Sequence, residues 1–385
     1  MKNFYLSENT IPKDHIDKLS NWLTTYQRLT QGELVKQFEN KWSEHFSVNH
    51  SIFCNSGSSA NLLAFSVLKH MFKNTKLKIA ICSAGWSTTL SPLIQLEMDY
   101  TFIDIDKNTF GMDMDHLEEC IIKEKINAVV VVHTLGVPVN IDRLLELKNK
   151  YNLFVIEDTC PAVGSKYNDK YLGTLFDMGT FSFYYGHQIS TIEGGMISTN
   201  NSDIKDLLYM MRNHGWSNDL TNEKKTQLEV ENNIPEYMSK FTFYVPGYNL
   251  RGTELNAFLG LLQLDILDSV AMARNNNFNS YRQLLSDKFI VQNPNDKSNV
   301  ISCITFPAIC SSDDQRKKIY SELTQNGIET RPISGGNLSL QPYNTNIKIQ
   351  SKISLDLHYR GFVLPCHPGI TYEDVKYISD IVKCC

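Results

Sequence analysis

From His50 onward the chain repeats one rhythm: a short apolar run, a turn of small or polar residues, then a segment with helical spacing. Ser51-Ile52-Phe53-Cys54 precedes a helical pattern over 59–72, Ile79-Ala80-Ile81-Cys82 stands alone, and Ala128 to Val132 precedes a pattern over 141–150. Phe154-Val155-Ile156 follows and runs into Glu157-Asp158. Strands alternating with helices imply an α/β fold whose sheet is mostly parallel and covered on both faces. Ligands on such sheets gather at the carboxyl ends of the strands. The texture changes after Trp216. Asn218 to Asn233 is polar and charged and reads as an exposed loop, and the apolar spacing from Glu254 to Leu285 reads as one or two joining helices. Ile301 to Pro307, a helical pattern over 313–326, and Gly361 to Pro365 followed by 371–383 suggest a smaller α+β unit. The expected division is a large domain over 1–253, and a linking helix with a small C-terminal domain over 254–385.

Bulk properties narrow the function classes. A length of 385 residues leaves room for a deep site. The net charge of -5 gives no basic field for nucleic acid, so anionic ligands must be held locally. Nine cysteines lie scattered without a CxxC pair and read as reduced thiols. The first residues lack the apolar core of a signal peptide, and no later run approaches the roughly 18 apolar residues of a membrane helix. The expectation is a cytoplasmic protein with no membrane partner and no metal site.

Several constellations could carry chemistry. Asn55-Ser56-Gly57-Ser58-Ser59-Ala60-Asn61 sits between a strand and a helix, where backbone N–H groups at a helix start form an anion site, although a simple helix cap has the same composition. Glu157-Asp158 ends a strand, so at least one carboxylate should reach the cleft; a cap or an ion pair is the ordinary alternative. Thr180 to His187 and Glu193-Gly194-Gly195-Met196-Ile197 are two strand-like stretches around a turn holding a hydroxyl, an imidazole and glycines. Trp86, just after the strand 79–82, could stack on a flat ring or fill the core. Tyr248, Asn249 and Arg251 supply polar groups before the long helical region.

Taken in order, NSGSSAN, the Trp86 segment, EDTCPAVGS, GTFSFYYGHQISTIEGGMIST, RNHGW and GYNLRGTELNAFLGLLQL resemble the DegT/DnrJ/EryC1/StrS family of sugar aminotransferases, through nearly the whole chain. The resemblance implies a fold-type I pyridoxal phosphate enzyme, aspartate aminotransferase-like, and normally a homodimer with active sites at the subunit interface. It implies that Gly57 and Ser58 cradle the cofactor phosphate, that Ser182 adds a hydroxyl, and that Asn249 reaches that phosphate from the partner subunit. Trp86 would stack on the pyridine ring, and Asp158 would pair with the protonated ring nitrogen and keep the ring an electron sink.

Two positions depart from the family pattern. Where Ser-Phe-x-x-x-Lys places the Schiff-base lysine, this chain has His187, and Pro161 stands where many relatives carry a polar Gln or His. Imidazole cannot make the lysine's covalent link, but with an ordinary pKa of about 6.5 it can move protons. The Lys-to-His exchange, NSGSSANLLA, and Gly336-Asn337-Leu338 followed by Gln341-Pro342-Tyr343 resemble a branch of GDP-4-keto-6-deoxy-mannose 3-dehydratases. That branch implies pyridoxamine phosphate as the working cofactor, a nucleotide-linked 4-keto sugar losing its C3 hydroxyl, ammonia release, and L-glutamate as amine donor. A related branch of CDP-sugar 3-dehydrases adds a [2Fe-2S] cluster, but this chain has no Cys between 160 and 303, so no iron-sulfur cluster is expected. Arg212, His214 and Arg331 are candidates for substrate phosphate or glutamate carboxylate, with structural ion pairs as the alternative. An aminotransferase using another amine route and an inactive binding subunit are the competing readings.

Overall fold

A computed structural model describes residues 2–25, 28–344 and 348–385. The strands in chain order are β1 (His50–Cys54), β2 (Lys78–Cys82), β3 (Asp99–Ile103), β4 (Ala128–Val132), β5 (Phe154–Asp158), β6 (Lys166–Tyr167), β7 (Lys170–Tyr171), β8 (Met178–Ser182), β9 (Gly195–Thr199), β10 (Ile290–Val291), β11 (Thr305–Ile309) and β12 (Gly361–Pro365). Seven of them form one sheet in the order β1-β9-β8-β5-β4-β2-β3. Neighbours from β3 to β8 are parallel, and β9 alone runs against the rest.

The alternation of side chains along a strand explains why this sheet needs cover on both faces. Ile79, Ile81, Ala128, Val130 and Ile156 join the core on one face, with Leu63, Phe65 and Leu68 of helix Gly57–Met71. Ala80, Cys82, Val129, Val131 and Val155 join the other, with Leu117 and Leu144 from helices Met114–Glu124 and Ile141–Tyr151. β4, Ala-Val-Val-Val-Val, is buried along its whole length, as a central parallel strand of β-branched residues must be. A third cluster of rings, Phe38, Trp42, Phe46, Phe53, Phe181 and Phe183, packs helix Glu33–Phe46 under β1 and β8.

The second sheet is small and antiparallel, in the order β10-β11-β12. Its core joins Phe306, Phe362 and Leu364 to Phe278, Tyr281 and Leu285 of helix Leu267–Leu285, and to Ile319 and Ile378 of helices Asp313–Gln325 and Tyr372–Lys383. Helix Leu267–Leu285 follows helix Glu254–Leu264 with a bend of 61°, so the joining region is two helices. Among the described residues no single helix is long and apolar enough to cross a membrane.

The polar stretch after Trp216 is not all loop. Asn222–Glu231 is a helix that buries none of its side chains completely. Its warrant is local: the Thr221 hydroxyl caps the Lys224 N–H, and Gln227 donates to Glu231 one turn on. An amphipathic search passes over such a helix because it has no apolar stripe.

Glu254 performs a capping task that the local sequence cannot. Helix Glu33–Phe46 starts at Gly32, which has no side chain to offer, and the Glu254 carboxylate arrives from more than two hundred residues away. It accepts from the N–H groups of Gly32, Leu34 and Val35 at 2.9, 3.0 and 3.0 Å, with Glu254 itself buried. A negative charge at a helix N-terminus is favourable, and three N–H groups depend on this one. Glu254→Ala should cost about 2–3 kcal/mol of stability by denaturant unfolding; a loss below about 0.5 kcal/mol, the size of an ordinary surface change, would show that water replaces the cap.

Candidate active site

A cavity of about 580 Å³ opens at the carboxyl ends of β1, β2, β5 and β8. The parallel register brings these ends to one edge, where sheets of this kind bind ligands. Ser56 caps helix Gly57–Met71 by accepting the Ser59 N–H at 3.0 Å, and its carbonyl takes the Ala60 N–H. The Gly57 and Ser58 N–H groups are left at the helix mouth on the cavity wall, beside Ser182. Glycine at 57 is a steric need: a Cβ there would lie 2.4 Å from Ser182 Cβ and 2.8 Å from its Oγ.

The two carboxylates ending β5 separate by the alternation of the strand. Glu157 is fully buried away from the cavity, where it accepts from Gly173, Leu175 and Phe176 N–H groups and faces His133 Nε2 at 3.1 Å. Asp158 lies on the cavity floor. Its Oδ2 accepts from Asn61 at 3.0 Å and Thr89 at 2.7 Å, and its Oδ1 from the Cys160 N–H at 3.2 Å. Asn61 is itself oriented by the Thr180 hydroxyl at 2.6 Å. The carboxylate is therefore fixed in direction before any ligand arrives.

His187 stands in the turn between β8 and β9, its N–H bonded to the Tyr184 carbonyl at 2.9 Å and its ring edge-on to that of Tyr184. The ring is mostly buried and Nδ1 has no partner. Burial pushes its pKa down to about 4; the backbone at Cys160 opposes the shift, and the charges of Arg274 and Arg331 add to it. At neutral pH the imidazole is uncharged and able to accept a proton. Cys160, also on the wall, has its thiol pushed well above the ordinary value, by burial first and by the Asp158 charge next, so it stays protonated and unreactive. Among the described residues lining the cavity there is no lysine.

Trp86 occupies the N-terminal position of helix Ser87–Gln95 and is 55% exposed on the cavity wall, outside the core. Arg331 lines the cavity mouth. Asn249 does not line the cavity of its own chain; it is exposed, bridged to Asn213 on the strip beside β1. His214 is also outside, its N–H bonded to the Tyr248 carbonyl and its ring against Trp216. The proposed ligand role of Arg212 is corrected by its surroundings. Arg212 is 1% exposed and committed to Glu39 at 2.6 Å, Asp219 at 3.1 Å and the Phe53 carbonyl at 2.7 Å, an internal ion network that joins helices to β1.

Sequence reasoning gave no role to Asn61 or Thr89, nor to Ser7, Tyr184, Tyr185 and Glu193, which also line the cavity. Asn61 was within reach: four residues after Gly57 on a helix, it must share the face that looks into the cleft. Thr89 carries no such signal, because its contact joins residues 69 positions apart.

The DegT/DnrJ/EryC1/StrS aminotransferase family profile matches residues 10–383, and the chain belongs to that pyridoxal phosphate-dependent family. It is 32% identical to a GDP-4-keto-6-deoxy-D-mannose 3-dehydratase of Yersinia pseudotuberculosis, over 100% of this chain and 99% of the relative. It is 28% identical to a GDP-perosamine synthase of Escherichia coli O157:H7, over 90% or more of both chains, 94% of this one and 92% of the other. A crystal structure of a GDP-4-keto-6-deoxymannose-3-dehydratase with a trapped PLP-glutamate geminal diamine superposes with a TM-score of 0.88 at 28% identity, covering 99% of this chain and 100% of that one.

The cavity fits the cofactor on its own terms. A helix mouth where a Cβ cannot stand, a pre-oriented carboxylate, an exposed indole and a buried, partnerless ring nitrogen converge on one space.

The lowered pKa of His187 makes a sign-definite prediction. Between its folded value of about 4 and an unfolded value of about 6.5, the unfolded chain binds more protons, so the neutral ring favours the fold above about pH 6.5 and that contribution is lost as pH falls toward 4. Denaturant unfolding of the wild type and of His187→Asn should show a stability difference that moves against the wild type over that interval. A difference independent of pH would place His187 in water.

Proposed function

We propose that the protein removes the C3 hydroxyl of a nucleotide-linked 4-keto-6-deoxy sugar, GDP-linked, to give a 3-deoxy-4-keto sugar with ammonia release, in the service of deoxysugar and surface polysaccharide biosynthesis in the cytoplasm. The observation that carries this reading is His187: an uncharged imidazole faces the cavity at the point where a lysine would form the covalent link of an aminotransferase. Similarity to 3-dehydratases supports it, and similarity to GDP-perosamine synthases supplies the second reading, amine transfer.

Bound in its amine form, the cofactor would supply a nitrogen to condense with the sugar ketone and a conjugated ring to store electrons while the hydroxyl leaves. Gly57 and Ser58 N–H groups and the Ser182 hydroxyl would hold its phosphate, and Asn249 of a second copy would complete the cradle in a homodimer. Trp86 would stack on the ring face. Asp158, held by Asn61 and Thr89, would keep the ring nitrogen protonated. His187 would take the proton from the carbon next to the cofactor amine and return it to the departing hydroxyl, so one residue would serve as base and then as acid. Arg331 at the mouth meets an anionic group, the sugar nucleotide's diphosphate or the carboxylate of L-glutamate as amine donor.

Incubation with pyridoxal phosphate, glutamate and a panel of nucleotide-4-keto-6-deoxy sugars, followed by mass analysis, tests the reading. Loss of oxygen is the expected product change, and gain of an amine without ammonia release would establish amine transfer instead. His187→Asn should lower kcat about 10²- to 10⁴-fold, the usual weight of a general acid–base group. His187→Lys should form a borohydride-reducible link to the cofactor and lose dehydration; the same link in the wild type would show another lysine at work.

A further inference from the structure

The turn bearing His187 is held by a buried carboxamide next to it in sequence. Gln188 is 1% exposed, and its Nε2 donates to the Pro161 carbonyl at 3.1 Å and the Ser302 carbonyl at 2.7 Å. Both partners are acceptors only, so the nitrogen and not the oxygen must face them. Pro161 belongs to the cavity wall after β5, while Ser302 lies two residues before Ile304, which lines the same cavity from the segment entering β11. One amide thus ties the His187 turn to two separate parts of the cavity.

The far end of the turn is pinned as well. Gln263, fully buried, accepts the Ser190 N–H at 3.1 Å and donates to the Thr10 carbonyl at 2.9 Å. Asn256 donates to the Thr191 carbonyl at 2.7 Å. Directly after these ties Ile192 is held at φ 72, a left-handed conformation that a β-branched residue adopts only when its surroundings dictate it. The turn is therefore constrained throughout, with Gln188 the tie nearest the imidazole.

We propose that Gln188 is a positioning residue for the reaction, fixing His187 against the cofactor through the Pro161 and Ser302 carbonyls in place of the location a covalent lysine link would provide. The proposal rests on His187 as the proton carrier. A base with no bond to the cofactor is located only by its contacts with the protein, and misplacement by about 1 Å can cost 10²-fold in rate.

Gln188→Met keeps the volume and removes both donors. In the cofactor-loaded protein, kcat for sugar dehydration should fall about 10- to 100-fold, with KM for the sugar nucleotide changed less than about threefold and the cofactor absorbance retained. Gln188→Glu gives a second reading that does not depend on the folding of the first. A buried carboxyl facing carbonyls is biased toward its protonated, donating form, so kcat relative to wild type should decline as pH rises and the donor is lost. An unchanged kcat in Gln188→Met, or a Gln188→Glu to wild-type ratio independent of pH, would overturn the proposal. His187→Asn separates the two claims: if it retains full kcat, the proton-carrier reading fails, whereas if it is inactive while Gln188→Met is unimpaired, only the positioning role fails.

Discussion

The site depends on the end of β5, where two adjacent carboxylates must point to opposite faces of one sheet. Glu157 collects three backbone N–H groups from the segment 173–176 that leads into β8, and so sets where Ser182 and the following turn emerge. Asp158 gathers Asn61 and Thr89, one from each of the helices that follow β1 and β2. The dipeptide therefore ties together the mouth of helix Gly57–Met71, the start of the helix after Trp86 and the turn bearing His187. A shift of one residue in the register of β5 would exchange the two roles and leave a charged group buried without its partners.

Packing around that dipeptide is tight enough to exclude substitution at the backbone. Gly57 has no room for a Cβ against Ser182, and Gly195, the first residue of β9, has none against the Ser56 carbonyl at 2.3 Å. The glycines let a helix start and two strand ends converge on one point. That convergence brings a helix mouth, a hydroxyl and a carboxylate into a cavity without long side chains to bridge them.

Much of this was legible in the sequence, and the reasons are specific. The strands β1, β2, β4 and β5 are runs of β-branched and apolar residues between turn signals, so their period and their carboxyl ends could be read directly. That one carboxylate of Glu157-Asp158 would reach the cavity followed from the strand end, while the choice of Asp158, and of His187 by its spacing after Ser182, came from the family resemblance. Side-chain commitments made across the fold were not legible. Arg212 has the composition of an anion ligand, yet two carboxylates that are distant or turned toward it only after folding consume its charge. Helix Asn222–Glu231 was missed because exposed helices rest on caps and neighbouring pairs, which leave no apolar period. The Gln188 contacts belong to the same class, since Pro161 and Ser302 meet only when the small sheet has docked beside the large one.

The environment of position 187 explains how a histidine can stand where the family places a lysine. Burial and the charges of Arg274 and Arg331 disfavour a cation there, and they act on any basic side chain in the same sense. For a lysine that environment favours the uncharged amine, the form that attacks a carbonyl. For a histidine it favours the uncharged imidazole, the form that accepts a proton. One electrostatic setting therefore suits an uncharged amine and an uncharged imidazole alike, and the exchange of side chain needs no compensating change in charge. A histidine in that place offers no amine for a covalent link to a carbonyl. The turn that carries the imidazole is itself held by neutral hydrogen bonds, which leave the electrostatic setting of the ring intact.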